Sequence, residues 1–278
     1  MYEELSEKTV LITGAGRLQG IGASIARRLA AEGCNVMLTD VGEAGGSQTS
    51  EDDLTPSNSL NQIAREICES GGVAAAMTCN VLVEDDVERA CRLTEKKFGS
   101  LDILVNNAGI GYLMQPLTEI SSENWDAVLG VNLKGAFLAT KHASLIMISQ
   151  GSGGRIINIA SQAAKSGFPH AAAYVSSKHG LIGLTRVSAI ELGEHKITAN
   201  AICPNHITTG LGEWQNDYFS KNFGQSLEEY MSNMKSRIPL GRPGLTEDIA
   251  NTCAFLCSDQ AHYITGESMN VSGGEEMH

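Results

Sequence analysis

Short apolar runs alternate along the chain with longer segments in which apolar residues recur at helical spacing. The short runs predict buried strands at 9–13, 35–40, 73–78, 101–105, 155–160, 197–202 and 268–271. The periodic segments predict helices at 23–32, 62–70, 84–98, 122–148, 171–189 and 246–256. Strands that alternate with helices are typical of a parallel sheet covered on both faces. We therefore predict an α/β fold with a doubly wound parallel sheet of about seven strands.

The alternation continues without a linker, so we expect a single domain over residues 1–278, with dinucleotide-binding and catalytic parts in one unit. Two segments differ from the rest. Residues 41–61 are rich in Gly, Ser, Thr, Asn and acids, and predict an extended surface loop. Residues 206–238 are polar and aromatic, and we expect them to form a lid over the substrate.

Composition excludes several classes of partner. The net charge is −12 and no run of Lys or Arg occurs, so a nucleic-acid partner is not expected. No apolar run approaches the ~18 residues of a membrane helix, and residues 1–8 are acidic and polar, unlike a signal peptide. We predict a cytoplasmic protein without a membrane partner. Seven scattered cysteines are typical of reduced thiols, and their spacing predicts no metal site.

A glycine-rich turn joins the first strand to the first helix. It runs from Gly14 to Gly22, and the predicted helix follows at once. Strand, glycine turn and helix in this order are typical of a Rossmann-like dinucleotide-binding domain, in which the pyrophosphate lies at the helix N-terminus. A merely flexible turn would explain glycines alone, but not the strand and helix around them. The predicted cofactor contacts here are Gly14, Arg17, Gly20, Ile21 and Gly22.

Asp40 ends the second strand, about 20 residues after the glycine turn. An acid at this place binds the adenosine ribose hydroxyls of NAD and repels the 2′-phosphate of NADP. Arg17 in the turn is a competing signal, since a base there could hold that phosphate. We predict NAD as the cofactor and regard NADP as the less favoured alternative.

Tyr174 and Lys178 lie four residues apart on the helix predicted at 171–189, and so share one face. A free phenol has a pKa near ~10 and is a poor acid or base at neutral pH. A nearby ammonium group favours the phenolate, so we expect the pKa of Tyr174 to be lowered. A half-buried ring beside a solvated charge would give the same spacing, so the pair gains weight only from its surroundings.

Polar residues and glycines follow the other predicted strands at their carboxyl ends, where open α/β sheets bind ligands. Asn132 is different, because it is an amide inside an apolar helix and needs a hydrogen-bonding partner. The remaining candidate contacts are Asn80, Val81, Asn107, Ala108, Gly109, Ser161, Pro204, Ile207 and Thr209.

These motifs, in this order, resemble the short-chain dehydrogenase/reductase family over about residues 7–274. The resemblance implies that Tyr174 is the general acid/base, that Lys178 lowers its pKa and binds the nicotinamide ribose, and that Ser161 hydrogen-bonds the reacting oxygen. It implies that Asn132 holds a water for proton relay. It also implies that Ile207 and Thr209 contact the nicotinamide amide, and that Asn107 lines the cofactor site.

Three departures from the usual family pattern bear on the reaction. Five residues separate Gly14 from Gly20, a length that resembles the enoyl-carrier-protein reductases, whose Tyr and Lys lie further apart than those found here. Asn205 replaces a common glycine and predicts a left-handed backbone. Ser272 stands where Asp is frequent, and the closing segment is somewhat similar to that of polyol dehydrogenases.

The hypothesis is an NAD-dependent enzyme that interconverts a secondary alcohol, such as a polyol, and a ketone. One alternative is a 3-oxoacyl-carrier-protein or acyl-CoA reductase. Another is an NAD-sensing protein without catalysis, which the presence of Ser161, Tyr174 and Lys178 disfavours. The resemblance further implies a homo-oligomer, a tetramer or dimer, formed through the helices that carry Asn132 and Tyr174.

Overall fold

The structure is a computed structural model that describes residues 2–42, 57–111 and 113–277. Its strands are β1 (Thr9–Ile12), β2 (Asn35–Asp40), β3 (Val73–Thr78), β4 (Ile103–Asn106), β5 (Gly154–Ile159), β6 (Ile197–Pro204) and β7 (Ser268–Val271). They form one sheet in the order β3-β2-β1-β4-β5-β6-β7, and every neighbouring pair is parallel. The predicted Rossmann-like sheet of about seven parallel strands is confirmed.

Nine helices lie in the described ranges. They are α1 (Ile21–Ala31), α2 (Asn58–Glu69), α3 (Glu84–Phe98), α4 (Ser122–Leu129), α5 (Gly135–Gln150), α6 (Ala172–Leu192), α7 (Gly210–Asn222), α8 (Leu227–Arg237) and α9 (Thr246–Cys257). None of them is long and apolar enough to cross a membrane.

Helices cover both faces of the sheet, which explains why its central strands are apolar along their whole length. Side chains of α1, α2 and α9 form the core on one face, and side chains of α3 and α5 form the core on the other. All four residues of β1 are buried, as are all eight residues of β6. These central strands therefore hold the residues at their carboxyl ends in fixed positions.

Two predicted boundaries differ from the structure. Helix α2 begins at Asn58, four residues before the predicted start, because the Ser57 hydroxyl accepts a hydrogen bond from the Leu60 N–H at 3.2 Å and caps the helix. Residues 43–56 of the predicted surface loop lie outside the described residues. The segment predicted as a lid is largely helical, since it contains α7 and α8.

The predicted helix at 122–148 corresponds to α4 and α5, which are joined by a π-helical turn over Gly130–Lys134. Such turns are rare and are frequently found at functional sites. Asn132 lies at the centre of this turn.

From the central strand β1, the first strands that follow are added towards one edge of the sheet, and the later strands are added towards the other edge. Strands β2 and β3 lie on one side of β1, while β4 to β7 lie on the other. In open α/β sheets the carboxyl ends beside such a reversal border the ligand crevice. The glycine turn after β1 and the residues after β4 are therefore expected to face a common cleft.

Candidate active site

The glycine turn and the segment after β4 approach each other closely. Gly14 has φ +66°, and a Cβ atom there would lie 2.4 Å from the Cα of Ala108. A side chain at position 14 would therefore require a backbone shift as well as a left-handed conformation. Gly14 is a glycine because the two strand ends meet at this point.

Hydrogen bonds fix the same contact. The Thr13 hydroxyl accepts from the backbone N–H groups of Asn107 and Ala108 at 3.1 and 3.2 Å. The Asn107 amide donates to the carbonyl groups of Thr13 and Gly14 at 3.0 and 2.7 Å. The Asn107 side chain thus holds the two strand ends together, and Asn107 also lines the cavity.

The second predicted cofactor element lies at the end of β2. One carboxylate oxygen of Asp40 accepts a hydrogen bond from the Gly16 N–H at 2.6 Å, and the other accepts from the Val41 N–H at 2.8 Å. The Gly16 carbonyl accepts from the Ser59 hydroxyl at 2.7 Å. A Cβ at Gly16 would lie 2.7 Å from the Asp40 carboxylate, so this glycine lets the longer turn approach the acid.

These features fit a bound dinucleotide. The N-terminus of α1 follows Gly20 and has no side-chain cap, so its N–H groups remain available to an anion such as a pyrophosphate. Gly22 lies in its first turn and is buried, and a Cβ there would lie 2.5 Å from the Asn107 amide nitrogen. Only a glycine fits between the helix and that amide.

Tyr174, Lys178 and Ser161 lie together where β5 ends. The Lys178 Nζ lies 5.7 Å from the centroid of the Tyr174 ring and donates a hydrogen bond to the Ile159 carbonyl at 2.8 Å. The Ser161 hydroxyl is hydrogen-bonded to the Tyr174 phenol. It also accepts from the Ala163 N–H at 3.1 Å, which fixes its orientation.

The direction of the Tyr174 shift differs from the sequence-based expectation. Burial raises the pKa of the Tyr174 phenol, and the hydrogen bond with Ser161 opposes this rise. Burial also lowers the pKa of Lys178 to about 8. The Lys178 ammonium group is hydrogen-bonded to a backbone carbonyl and lies beside the Tyr174 ring. In the protein without a bound cofactor, the free-energy cost of burying a phenolate therefore outweighs the attraction between the phenolate and this ammonium group.

Asn132 is buried, and its side chain makes three hydrogen bonds to protein groups. Its Oδ1 accepts from the Ile110 N–H at 2.8 Å, and its Nδ2 donates to the Ile110 carbonyl and to the Ser177 hydroxyl, each at 3.0 Å. The amide therefore attaches the segment after β4 to the π-helical turn and to α6. This anchoring explains the polar residue in an apolar helix; a role in water relay stays a prediction.

One cavity of about 1340 Å³ joins these groups. Pockets for single drug-sized ligands are commonly ~300–1,000 Å³, so this volume suits a dinucleotide together with a substrate. The predicted residues that line it are Gly14, Arg17, Gly20, Ile21, Gly22, Asp40, Asn80, Val81, Asn107, Ala108, Gly109, Ser161, Tyr174, Lys178, Pro204, Ile207 and Thr209. Asn132 does not line the cavity, although its neighbour Val131 does.

The far part of the cavity lies between α7, α8 and the residues after β7. Its lining includes His206, Arg237 and Glu275. The Glu275 carboxylate accepts hydrogen bonds from the Asn205 amide at 2.6 Å and from the Arg237 Nε at 3.0 Å. Neither Arg237 nor Glu275 is among the residues that the sequence predicts for the site. The sequence did contain a signal for Glu275. This residue follows the predicted last strand, and the carboxyl ends of parallel strands meet at the same edge of a sheet.

A left-handed backbone at Asn205 is wrong, because the described non-glycine residues with positive φ are Glu7, His170 and Lys196. In the described part of the chain no group of three or more His, Cys, Asp or Glu side chains is arranged to hold a metal ion.

Comparisons with known proteins agree with this geometry. The model of a family described as enoyl-(acyl carrier protein) reductase matches residues 14–276. A 3-oxoacyl-[acyl-carrier-protein] reductase of Staphylococcus aureus is 40% identical over 270 residues, which cover 97% of this chain and 98% of that protein.

Two solved structures are similar in fold and in sequence. A variant of actinorhodin polyketide ketoreductase with NADPH has a TM-score of 0.88 and 33% identity, covering 100% of both chains. An NAD⁺-bound xylitol dehydrogenase has a TM-score of 0.87 and 32% identity, covering 98% of this chain and all of the other. The match over nearly the whole chain shows that this protein belongs to the short-chain dehydrogenase/reductase family, and is an oxidoreductase that uses a nicotinamide dinucleotide to act on CH–OH or ketone groups.

Proposed function

We propose that the protein is an NAD-dependent dehydrogenase that interconverts a secondary alcohol, of the polyol type, and its ketone. The observation that carries this proposal is the meeting of Tyr174, Ser161 and Lys178 in the same cavity as Asp40. The first three groups can manage a proton at a substrate oxygen, and the last selects the cofactor. The proposal treats residues 1–278 as one domain, with 206–238 as the lid over the substrate.

A bound nicotinamide dinucleotide would supply hydride transfer to or from the substrate carbon. Gly14, Gly20 and Gly22 would hold its pyrophosphate, and Asp40 its adenosine ribose. In oxidation, Tyr174 takes the proton of the substrate hydroxyl, and in reduction it returns a proton to the carbonyl oxygen.

Ser161 orients the reacting oxygen through the hydroxyl that also bonds to Tyr174. The proton that Tyr174 takes must then leave a buried site, and Lys178 is the ionisable group beside it. Because the pKa of Lys178 is lowered to about 8, the lysine can exchange a proton near neutral pH. Asn132 would take part indirectly, by holding the Ile110 segment against the site.

Replacement of Tyr174 by Phe tests the proton role. The ring would remain, so NADH binding should be unchanged, while loss of the hydroxyl should lower kcat by roughly 100- to 10,000-fold. Tyr263→Phe is the matched control, because Tyr263 is 94% exposed and lies outside the cavity lining. A Tyr174→Phe protein within about tenfold of the wild-type rate would contradict the assignment.

The cofactor preference rests on Asp40. The 2′-phosphate of NADP carries nearly two negative charges near neutral pH, so a carboxylate at the end of β2 should repel it. We expect kcat/KM to be higher with NAD⁺ than with NADP⁺. Asp40→Asn should reduce the ratio of kcat/KM with NAD⁺ to kcat/KM with NADP⁺ at least about tenfold. Asp85→Asn, an exposed acid of α3, is the control. A wild-type enzyme that favours NADP⁺ would refute this preference and leave the family assignment unaffected.

A second candidate is a 3-oxoacyl-carrier-protein reductase. The 40% identity to the Staphylococcus aureus reductase favours it, as does the likeness to a ketoreductase with NADPH. The net charge of −12 disfavours docking of an acidic carrier protein. Parallel assays with polyols and NAD⁺, and with a 3-oxoacyl thioester and NADPH, separate the two functions by their kcat/KM values.

A homo-oligomer through α5 and α6 belongs to the same proposal. Both helices expose apolar side chains: Phe137 and Leu145 on α5 are 47% and 59% exposed, and Val187 and Ile190 on α6 are 51% and 81% exposed. Exposed apolar patches commonly mark interfaces. Light scattering should give a dimer or tetramer, and Ile190→Glu should shift the mass towards the monomer; a monomeric wild type would refute the assembly.

A further inference from the structure

The segment after β7 folds back over the cavity in a defined turn. Gly273 and Gly274 have φ +64° and +93°, and a Cβ at Gly273 would lie 2.7 Å from the Ile238 side chain. The Leu240 N–H donates to the Gly273 carbonyl at 3.1 Å. Two left-handed glycines packed against the end of α8 direct the following residue, Glu275, into the cavity lining.

The Glu275 carboxylate occupies a built position. One oxygen accepts from the Asn205 amide at 2.6 Å and lies 3.7 Å from the His206 Nε2, and the other accepts from the Arg237 Nε at 3.0 Å. Its side chain is only 13% exposed, and Glu275 lines the cavity, so the part not covered by protein opens to the substrate space.

This carboxylate retains capacity for a ligand. An ionised carboxylate offers about four acceptor positions, and the hydrogen bonds within the described residues use two of them. A largely buried acceptor is best satisfied by hydrogen-bond donors, and hydroxyl groups of a substrate are donors. A carboxylate or phosphate group of a substrate offers no donor when it is fully ionised.

The charges at this end of the cavity also favour a neutral substrate group. Around α7, α8 and the segment after β7, the charged lining residues are Glu213, Arg237 and Glu275, which leave one negative charge in excess. Burial lowers the pKa of His206, opposed by Glu275, so the imidazole adds no lasting positive charge. An anionic substrate group would meet net repulsion, and a neutral polyhydroxy group would not.

We propose that Glu275 determines substrate specificity by accepting hydrogen bonds from hydroxyl groups of a neutral polyhydroxy substrate and by excluding substrates that carry an anion at that end. The inference rests on the proposed alcohol dehydrogenase function and assigns the residue that selects neutral over anionic substrates within it. The positive charge of Arg237 offsets part of the negative charge at this end of the cavity, so its removal should strengthen the exclusion of anions.

The test compares kcat/KM for neutral polyols with that for the corresponding aldonic acids, for example xylitol against xylonate, with NAD⁺ and with NADP⁺. Wild type should strongly favour the polyols. A unit charge within roughly 10 Å, at an effective dielectric constant near 20, changes anion binding by about tenfold. Glu275→Gln should therefore raise the acid-to-polyol ratio about tenfold. Glu194→Gln makes the same change in net charge at an 80% exposed side chain, and should leave the ratio unchanged.

Arg237→Gln provides a second variant if Glu275→Gln does not fold, since the Arg237 side chain is 56% exposed. Arg237→Gln should lower the ratio of kcat/KM for the acids to kcat/KM for the polyols, whereas Glu275→Gln should raise it. Wild type that oxidises the acids as well as the polyols, or variants that leave the ratio unchanged, would overturn the role of Glu275 while the dehydrogenase function stands. Absence of turnover with every alcohol and either cofactor would instead refute the proposed function itself.

Discussion

Replacement of Asn132 by Ala distinguishes an anchoring amide from one that relays protons. The substitution removes three hydrogen bonds, two with the Ile110 backbone and one with the Ser177 hydroxyl. Each such bond contributes about 0.5–1.5 kcal/mol net, and a partner left unpaired in a buried site costs more than one in water. We therefore expect the free energy of unfolding to fall by about 2–4 kcal/mol.

The same change should reduce activity through the position of the segment after β4. A Cβ at Gly111 would lie 3.2 Å from the Tyr174 ring, so this segment packs directly on the proposed proton donor. When Asn132 no longer holds Ile110, the segment is free to move from the ring, and kcat should fall together with stability. An amide that acted only in proton relay would lower kcat and leave the free energy of unfolding nearly unchanged.

Urea unfolding at a fixed protein concentration, followed by tryptophan fluorescence, measures the free energy of unfolding. Steady-state turnover measures kcat. Asn222→Ala is the control, because Asn222 is an exposed asparagine at the end of α7 with one local hydrogen bond to the Tyr218 carbonyl. It should change stability by less than about 0.5 kcal/mol. A loss of stability at Asn132→Ala no greater than this would refute the anchoring role.

Three further predictions follow from the site. Lys178→Met should remove the rise of alcohol oxidation near pH 8, because the pKa of Lys178 is lowered to about 8 and only the neutral amine can accept the proton that Tyr174 takes from the substrate; an unchanged pH profile would contradict the pairing. Gly14→Ala should abolish NADH binding measured by fluorescence titration, because the new Cβ would lie 2.4 Å from Ala108; binding within about threefold of wild type would show that the turn adjusts easily. Thr13→Val removes an acceptor for two backbone N–H groups after β4, so the free energy of unfolding in urea should fall by about 1–3 kcal/mol. An unchanged urea midpoint would show that the Thr13 hydroxyl does not stabilise this contact.

The conditions for proton transfer differ between the two directions of the proposed reaction. Burial raises the pKa of Tyr174, so the phenol stays protonated over most of the working pH range and is ready to donate a proton to a ketone. Alcohol oxidation needs the ionised form and should therefore require higher pH than reduction. Ser161 acts against the rise, so loss of its hydroxyl should separate the two pH optima further.

The sequence by itself determined the features that depend on local order. Short apolar runs predicted the strands of the sheet most clearly at its centre, because β1 and β6 are buried on both faces and must be apolar throughout. The four-residue spacing placed Tyr174 and Lys178 on one helix face, and the strand before Asp40 placed that acid at the ligand edge. These relations hold within one or two elements, so no knowledge of distant contacts was needed.

Tertiary structure alone decided the features that join distant parts of the chain. Glu275 and Arg237 meet because β7 is the last strand of the sheet and α8 packs beside its end, which no local pattern specifies. The partners of Asn132 and the direction of the Tyr174 pKa shift were likewise not predictable. Burial is a sum over all surrounding elements, and the free energy of a charge inside a protein depends on that sum rather than on sequence spacing.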